Sequence, residues 1–572
     1  MTDVVVVGAG GDGPVLAWRL AQHGLDVHIL EAGPWHGNAN SPDPHQHPNR
    51  GATTSPDALN GDLLDEQYTN HEDDMKRPTG GKLRWGPADR TRPPWVRTVP
   101  QNAFVWQAAG VGGTTLVYLG NHPRAFPASV TDDPRWPIDY EDLLPYYREL
   151  EELHPIRPAP TTPKEAVFFH GCRELGFERN EDLTVTSPGY RPMPNAILRP
   201  DERLQGDYDG DYRYPDIEGS TLAGQELHGD PHPRGAPVDQ RAKRSTMVSL
   251  VPRALRTGNV TIQPNAFVTD ILTARRGGEL VATGVEYRDT WRGTRDTVEA
   301  DIVVLAAGAI ETPRLWLNAG LPDSGWVGRG LTTHWFDWVV GVFEEETIED
   351  ITGRSEIRPY VGQNGAARLD YPGLGALAVN AMPPAITAAS TFAISQGGYH
   401  FENDTSGRPW DTEGRVVGRE LKELMAAYPR MLTIIVHTDD QPRKENGVRL
   451  DPTTRDEHGP VPVVEWEPSK EDDRRRERLA ELAAKLLDAA GAEHVHRTDQ
   501  APVLLHLQST MALGTVTDSG GEARAVSRLF IADHSVIPNG LGGANPTHTG
   551  QALALRTAET ILDRYGKSSR SS

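Results

Sequence analysis

The first 31 residues carry the pattern that most restricts how this chain can fold. Residues 4–7 are four consecutive valines, which predict a strand buried on both faces of a parallel sheet. A glycine-rich turn follows, then a helical pattern that stops at Gly24, then a second predicted strand over 25–30 that ends at Glu31. The order strand, turn, helix, strand predicts a βαβ unit at the start of the chain.

The turn of this unit has the spacing of a dinucleotide-binding site. Its glycines are Gly8, Gly10 and Gly13. Such glycines permit a tight turn and let a pyrophosphate approach the backbone at a helix N-terminus. Glu31 lies 23 residues after Gly8, a spacing at which a carboxylate can accept hydrogen bonds from ribose hydroxyls. The pattern predicts dinucleotide binding, and by itself it leaves open whether the ligand is NAD or FAD.

Composition narrows the class of protein. The 572 residues include 58 Lys and Arg against 80 Asp and Glu, a formal net charge of −22 that disfavours nonspecific binding to nucleic acid. No apolar run approaches the roughly 20 residues of a membrane-spanning helix, and we expect no signal peptide ahead of the first strand. Cys172 is the single cysteine, which excludes an intramolecular disulfide framework and a cysteine-ligated metal cluster. We expect a soluble cytoplasmic protein with at least two lobes.

The rest of the chain divides by its pattern of apolar residues. Two stretches without periodicity, 36–62 and 201–237, predict long loops, and the second begins with a strongly acidic segment. The alternating pattern over 331–466 predicts an antiparallel sheet, and 470–490 predicts a long helix capped by Ser469. Strands are predicted at 260–262, 267–271, 301–305, 432–436 and 461–465.

Three further segments carry recognisable motifs: 110–124, 306–315 and 531–547. Together with the N-terminal unit they resemble the glucose–methanol–choline (GMC) family of FAD-dependent oxidoreductases. The segment 241–254 is similar to the bacterial pyranose oxidase-like, glycoside-oxidising branch of that family. The resemblance implies an α/β protein, α+β overall, in which a Rossmann-like FAD-binding lobe carries an inserted antiparallel-sheet substrate lobe.

The same resemblance suggests how the chain is divided. The FAD-binding lobe would be assembled from 1–160, 238–330 and 496–572. Residues 161–237 would form a lid or substrate-lobe segment with long loops, and 331–495 would form the substrate-binding sheet lobe. The chain would therefore contain one split lobe with an insertion rather than two domains in series.

The resemblance also implies which residues bind FAD. The ADP half would be held by Gly8, Gly10, Gly13 and Glu31, with Val268 at the adenine and Ala307 and Gly308 near the pyrophosphate. The isoalloxazine ring would be lined by Gly112, Gly113 and Thr114, and the ribityl–flavin region by Asp533, Asn545, Pro546 and Thr547. Relatives that attach the flavin covalently have a histidine where this chain has Val117, so we expect non-covalent FAD.

His506 and Asn545 match the catalytic pair of the family. A histidine is mostly neutral near pH 7, so it can take the hydroxyl proton of an alcohol while the carbinol carbon gives its hydride to flavin N5. The amide of Asn545 can orient the same oxygen. His548 is the nearest rival for the base and His334 a weaker one. Met511 and Thr510 depart from the commonest family pattern beside the base.

These residues predict oxidation of a CH–OH group to a carbonyl. The branch that the chain resembles favours a sugar-like or glycoside substrate, for example a C-glycoside or a sugar oxidised at C3, with oxygen or another compound as electron acceptor. An aminoglycoside alcohol dehydrogenase of antibiotic biosynthesis is the alternative, because a charge of −22 can attract a cationic aminosugar. A flavin-containing hydroxynitrile lyase and a catalytically inactive scaffold are further alternatives. We expect no metal site, no membrane or nucleic-acid partner, and a possible homo-oligomer.

Overall fold

The computed structural model describes residues 2–40, 53–61, 63, 104–105, 108–116, 118–198, 243–359, 361–363, 365–380, 405–414, 416–498 and 503–566. The acidic stretch 201–237 and the position of Val117, to which the sequence analysis gave roles, lie outside these residues.

The strands are, in chain order, β1 (Thr2–Val7), β2 (Val27–Leu30), β3 (Phe104–Val105), β4 (Arg157–Pro158), β5 (Gly189–Pro192), β6 (Pro194–Asn195), β7 (Val260–Gln263), β8 (Ala266–Arg276), β9 (Glu279–Asp289), β10 (Arg295–Leu305), β11 (Asp337–Val342), β12 (Ala367–Tyr371), β13 (Gly375–Asn380), β14 (Thr412–Glu413), β15 (Met431–Thr438), β16 (Gly447–Asp456), β17 (Gly459–Glu465), β18 (His494–Arg497), β19 (Val503–Leu504) and β20 (Leu529–Ile531). The α-helices are α1 (Gly13–Gln22), α2 (Pro127–Thr131), α3 (Leu144–Leu153), α4 (Pro163–Glu174), α5 (Thr246–Ser249), α6 (Val251–Arg256), α7 (Gly308–Asn318), α8 (Glu345–Thr352), α9 (Gly418–Ala426), α10 (Lys470–Ala489) and α11 (Thr547–Tyr565).

The first sheet confirms the predicted βαβ unit and parallel layer. Its strand order is β7-β2-β1-β10-β9-β8, with β20 also paired to β10. Strands β7, β2, β1, β10 and β20 run parallel, and the four valines of β1 are almost completely buried, as expected for a strand covered on both faces. Strand β10 has three neighbours, because its first half pairs antiparallel with β9 and its second half pairs parallel with β1 and with β20.

The second sheet confirms the predicted antiparallel lobe. Its order is β14-β18-β11-β15-β13-β12-β5, and every pair is antiparallel except the short β14–β18 pair. The predicted strand over 432–436 is β15, near the middle of this sheet. The strand predicted over 461–465 is present as β17 but lies elsewhere, since it forms a separate two-stranded ribbon with β16 that packs against α7.

Helix α10 covers one face of the second sheet and begins at the predicted residue. The Ser469 side chain accepts from the backbone N–H of Asp472, and the Asp472 carboxylate accepts in return from the N–H of Ser469. This reciprocal pair satisfies two donors that a helix N-terminus would otherwise leave unpaired. Leu479, Leu486 and Leu487 are fully buried against the sheet. Each contributes about 1.5–3 kcal/mol of hydrophobic stabilisation, which explains why periodicity located the helix well.

A turn over residues 541–543 packs against the second sheet. Gly543 has a φ of +93°, and a Cβ there would lie 2.9 Å from the Cα of Gly375 in β13. Only glycine fits this conformation and this approach without strain. The N–H of Gly542 donates to the carboxylate of Asp439, just beyond β15, at 3.0 Å. The turn therefore brings the residues that precede α11 against the end of the antiparallel sheet. None of the helices that the structure describes combines the length and the apolar composition needed to cross a membrane.

Candidate active site

The glycine turn after β1 contains two kinds of glycine. A Cβ at Gly8 would lie 2.4 Å from the carbonyl oxygen of Ala306, and one at Gly13 would lie 2.2 Å from the carbonyl oxygen of Gly8. These two glycines allow β1, α1 and the end of β10 to pack closely. At Gly10 and Gly308, in contrast, a Cβ would find nothing closer than 4.0 Å, and both backbones are partly exposed.

The open space beside Gly10 and Gly308 lies at the carboxyl ends of β1 and β10, the edge at which open α/β sheets bind nucleotides. The predicted segment 112–114 lies against the same turn. The N–H of Gly112 donates to the carbonyl of Ala9 at 2.7 Å, and a Cβ at Gly113 would be 2.7 Å from the Cα of Gly10. Thr114 is exposed next to them. An open cradle of backbone beside a helix N-terminus has the shape and polarity that a dinucleotide needs.

Glu31 connects three backbone segments of this cradle through hydrogen bonds. Its carboxylate accepts from the N–H groups of Ala9 and Gly33 at 2.8 Å and of Gly110 at 3.0 Å. Burial raises the pKa of Glu31, and the backbone donors act in the opposite direction. Val268 lies in β8, buried, three residues after Asn265, whose N–H donates to the carbonyl of Gly33. Contacts of Glu31 with ribose and of Val268 with adenine stay predictions.

Asp533 follows β20 in the C-terminal motif, and its side chain contacts the start of α7 in the predicted pyrophosphate segment. One carboxylate oxygen accepts from the N–H of Gly308 at 2.9 Å and from the hydroxyl of Thr312 at 2.6 Å, and the other accepts from the N–H of Ser535 at 2.8 Å. Burial raises its pKa, while these donors favour the ionised form. Asp533 therefore holds Ala307 and Gly308 in place, while Pro546 and Thr547 begin α11 nearby in the fold.

The structure brings His506 and Asn545 together although they are 39 residues apart. Nε2 of His506 lies 3.2 Å from Nδ2 of Asn545. His506 is partly exposed, and its φ of +40° is in the left-handed region that residues other than glycine rarely adopt. Such a conformation costs about 1–3 kcal/mol and persists only where the surrounding structure enforces it.

The other ring nitrogen of His506 contacts a second histidine. Its Nδ1 lies 2.9 Å from Nδ1 of His334, the weaker rival for the base, and Nε2 of His334 lies 3.0 Å from the carbonyl oxygen of Gly540. His437 and Phe336 pack edge-on to His506, with ring centroids at 5.6 and 5.2 Å. The ring of His506 is thus enclosed on three sides.

These surroundings keep the imidazoles neutral. Burial, followed by the neighbouring His334 and His437 and by the Arg368 cation, holds the pKa of His506 well below its ordinary value of 6.5. Burial lowers the pKa of His334 to about 4, and it also places the pKa of His437 well below the ordinary range. A neutral imidazole can accept a proton, so the arrangement suits a general base.

Arg368 is a site residue that the sequence analysis missed. Its Nη1 donates to Oδ1 of Asn545 at 3.2 Å, and its Nε forms an ion pair with Asp370. Asp370 also accepts from Nε of Arg191 in β5 at 2.8 Å. All three charged side chains are almost fully buried. The sequence signal was an arginine and an aspartate two residues apart on one face of an otherwise apolar strand, β12, which has no motif to mark it.

His548, the nearest rival for the base, does not contact His506 or Asn545. Its Nδ1 lies 3.0 Å from the carbonyl oxygen of His122, and its Nε2 lies 3.3 Å from the carbonyl oxygen of Tyr147. It belongs to a second buried cluster with His122 and His154. Among the residues that the structure describes, no group of three or more His, Cys, Asp or Glu side chains is arranged to hold a metal ion.

Comparison with known proteins adds independent findings. Sequence models described as GMC oxidoreductase match residues 222–336 and 442–554. The chain is 27% identical to 2-methyl-1,2-propanediol dehydrogenase of Mycolicibacterium austroafricanum, over 99% of this chain and 96% of that protein. It is 26% identical to paromamine 6'-oxidase of Streptomyces fradiae, over 98% and 91%. Its fold is similar to that of pyridoxine 4-oxidase from Mesorbium loti, with a TM-score of 0.56 at 16% identity over 99% of this chain and 100% of that one.

Proposed function

We propose that this chain, which GMC oxidoreductase models match over 222–336 and 442–554, acts as a member of that family with FAD as its cofactor. In this proposal it oxidises a CH–OH group of a glycoside or other sugar-like compound to a carbonyl. His506 serves as the base and Asn545 orients the alcohol. The observation that carries the proposal is the 3.2 Å approach of His506 Nε2 to Asn545 Nδ2 in a partly exposed position.

The residues around the cradle fit a non-covalently bound FAD. The open backbone at Gly10 and Gly308 would receive the pyrophosphate, and residues 112–114 would lie beside the flavin ring. Glu31 and Asp533 would hold the surrounding loops in position through their backbone donors. FAD, when bound, supplies the acceptor for the hydride that leaves the carbinol carbon.

Residues of the protein itself accept the proton of the substrate hydroxyl and orient its oxygen. The lone pair on Nε2 of His506 accepts the proton of the substrate hydroxyl, and the amide N–H of Asn545 donates to the same oxygen. The electron pair of the O–H bond becomes part of the new C=O bond as the C–H bond breaks. Because the pKa of His506 is held well below 6.5, the ring is in its accepting form at neutral pH.

The substrate class is argued from the relatives and from charge. One relative is named for oxidation of an aminosugar and another for a small diol, so an alcohol next to further hydroxyl groups fits both. The Arg368 cation lies against Asn545, and the electrostatic effect of its charge extends to His506. An ammonium group beside the reacting carbon would be repelled there. We therefore favour a neutral glycoside, with an aminoglycoside as the second candidate only if its ammonium groups lie away from the reacting carbon.

The test is anaerobic mixing of the holoenzyme with a panel of alcohols while the absorbance of the oxidised flavin is followed. The panel contains neutral glycosides, including C-glycosides, aminoglycosides and simple diols. We expect bleaching with at least one neutral glycoside, and air and dichlorophenolindophenol then identify the electron acceptor. The glycoside proposal fails if only aminoglycosides or simple diols bleach the flavin, and the oxidase proposal fails if no alcohol does. Cytoplasmic location, oligomeric state and the predicted domain boundaries stay predictions.

A further inference from the structure

We propose that His334 and Arg368 are positioning residues that fix the tautomer of His506 and the orientation of the Asn545 amide through one directional chain of hydrogen bonds. This series of hydrogen bonds runs from Arg368 through Asn545, His506 and His334 to the carbonyl of Gly540. The inference rests on the proposed function, because it explains how the base presents its lone pair to an alcohol.

The carbonyl of Gly540, at one end of this series of hydrogen bonds, determines which nitrogen of His506 is protonated. A carbonyl oxygen can only accept, so Nε2 of His334, 3.0 Å away, must carry a hydrogen. His334 is neutral because burial lowers its pKa to about 4, so its Nδ1 has a lone pair. That lone pair faces Nδ1 of His506 at 2.9 Å, which must therefore be the protonated nitrogen. The lone pair of His506 is consequently on Nε2.

The contacts of Arg368, at the other end, independently place the lone pair on Nε2 of His506. A guanidinium can only donate, so the Asn545 atom 3.2 Å from Nη1 must be the oxygen. The amide nitrogen of Asn545 then faces Nε2 of His506, and its N–H requires a lone pair there. In the opposite tautomer, N–H groups would face each other at this contact and two lone pairs would face each other at His334. Leaving such buried groups unsatisfied is unfavourable, so this tautomer is disfavoured at both contacts.

Backbone pairing holds the two histidines at this distance. Thr332, two residues before His334, exchanges both backbone hydrogen bonds with Gln508, two residues after His506. The Thr332 hydroxyl lies 2.8 Å from the hydroxyl of Ser509, which reinforces the pairing. The carbonyl of Gly540 is fixed in turn because it also accepts from the N–H of Gly543 at 3.0 Å.

Arg368 has a second effect through its charge. Titratable and charged groups reach His506 from four parts of the fold, namely His334 before β11, His437 in β15, His534 after β20 and Arg368 in β12. Three of them are neutral imidazoles, so Arg368 is the permanent cation of this set. Both its hydrogen bond and its charge therefore favour the neutral base, and the two effects can be separated by substitution.

The first experiment compares His334→Gln with His334→Leu in the holoenzyme. A glutamine can donate to the Gly540 carbonyl and accept from Nδ1 of His506, whereas a leucine of similar size can do neither. We expect kcat to fall about 10- to 100-fold in His334→Leu and to recover largely in His334→Gln, with FAD content unchanged in both. Equal kcat in the two variants would overturn the role of His334.

The second experiment separates charge from geometry at Arg368. Arg368→Lys retains the cation but cannot bind Asp370 and Asn545 in the same planar fork, while Arg368→Met loses both properties. We expect kcat to fall in both variants, and the apparent pKa of kcat/KM to rise in Arg368→Met alone. A profile that does not move in Arg368→Met, in a variant that binds FAD normally, would overturn the role of Arg368.

A spectroscopic measurement reads the tautomer directly and needs no substrate. In protein labelled with 15N-histidine, the signal of His506 is the one lost in His506→Ala. We expect this signal to show a protonated Nδ1 in the wild type and in His334→Gln. A protonated Nε2 in the wild type would overturn the inference. Failure of the proposed function would instead appear as a correct tautomer in a protein that oxidises no alcohol.

Discussion

The structure contains two buried clusters of three histidines that resemble each other closely in their packing. In the first, His506 has its ring centroid 4.8 Å from that of His334 and 5.6 Å from that of His437. In the second, the ring of His122 lies 5.2 Å from that of His154 and 5.6 Å from that of His548. Burial lowers the pKa in both clusters, to about 4 for His334 and for His548 alike.

What distinguishes the clusters is the partner of each nitrogen. His506 is partly exposed, and its Nε2 faces an amide donor, so the lone pair of the ring is on this nitrogen, where a substrate hydroxyl would replace the amide as the donor. His548 is fully buried, and both of its nitrogens face carbonyl oxygens, which can only accept, so the lone pair of the neutral ring faces no donor. A lowered pKa therefore does not identify a catalytic histidine, because burial alone produces it. The direction of the hydrogen bonds at each ring nitrogen distinguishes the catalytic histidine from the structural one.

Replacing the base should give the largest difference between the clusters. We expect His506→Ala to lower kcat about 100- to 10,000-fold, since an alcohol then loses its proton acceptor. FAD content, read from the ratio of flavin to protein absorbance, should stay near that of the wild type. A loss of less than tenfold would remove His506 from the role of base.

Changing the partner of the base should have a smaller effect. In Asn545→Asp a carboxylate faces Nε2 of His506 in place of an amide donor, which favours a protonated imidazole and raises its pKa. We expect kcat to fall about 10- to 100-fold at neutral pH, with the apparent pKa of kcat/KM moving upward. In the His506→Ala background the same substitution should leave the pH profile unchanged. If it shifts the profile there as well, the shift does not come from His506.

Substitution in the second cluster should change stability rather than chemistry. We expect His548→Gln to lower the free energy of unfolding by about 1–3 kcal/mol, because it disturbs the buried hydrogen bond that the neutral ring donates to a carbonyl. In the wild type, His548 titrates near pH 4 when folded and near 6.5 when unfolded. The unfolded chain therefore binds more protons between these values, and stability falls as the pH drops through them. His548→Gln should show a weaker pH dependence in denaturant titrations at pH 7 and pH 5, and an unchanged dependence would contradict this assignment.

The smallest expected effect is the position of the acid-side fall in kcat/KM of the wild type. Because the pKa of His506 is lowered, kcat/KM should stay level as the pH drops from neutrality to about 6.5 and fall only below that value. Protonation of the base is the cause of the fall, so activity is lost on the acid side. A midpoint at or above 6.5 would show that the surroundings do not hold the base neutral as described.

The two lobes differ in how much the sequence alone could predict. The βαβ unit and α10 were predicted well because their signals are local: a valine run, spaced glycines and a capped apolar stripe. The resemblance to a family pointed to His506 and Asn545, and the folded chain places them in contact. Their roles, like those of the predicted FAD-binding residues, stay proposals.

The antiparallel lobe shows what sequence could not supply. Strand β5 comes from the segment interpreted as a lid or substrate-lobe segment, and its pairing with β12, which brings Arg191 to Asp370, had no signal in the sequence. The contact of Arg368 with Asn545 joins residues 177 positions apart, and that of His334 with His506 joins residues 172 apart. Such pairings depend on strand order and on backbone bridges between distant segments. Neither composition nor periodicity carries that information.

The most direct test of the account measures flavin reduction in variants of the two clusters. Each holoenzyme is mixed anaerobically with a saturating alcohol that reduces the wild type, and the rate of flavin bleaching is recorded in a stopped-flow instrument. We expect bleaching to be nearly abolished in His506→Ala and to stay close to the wild-type rate in His548→Gln. Retained bleaching in His506→Ala, or its selective loss in His548→Gln, would contradict it.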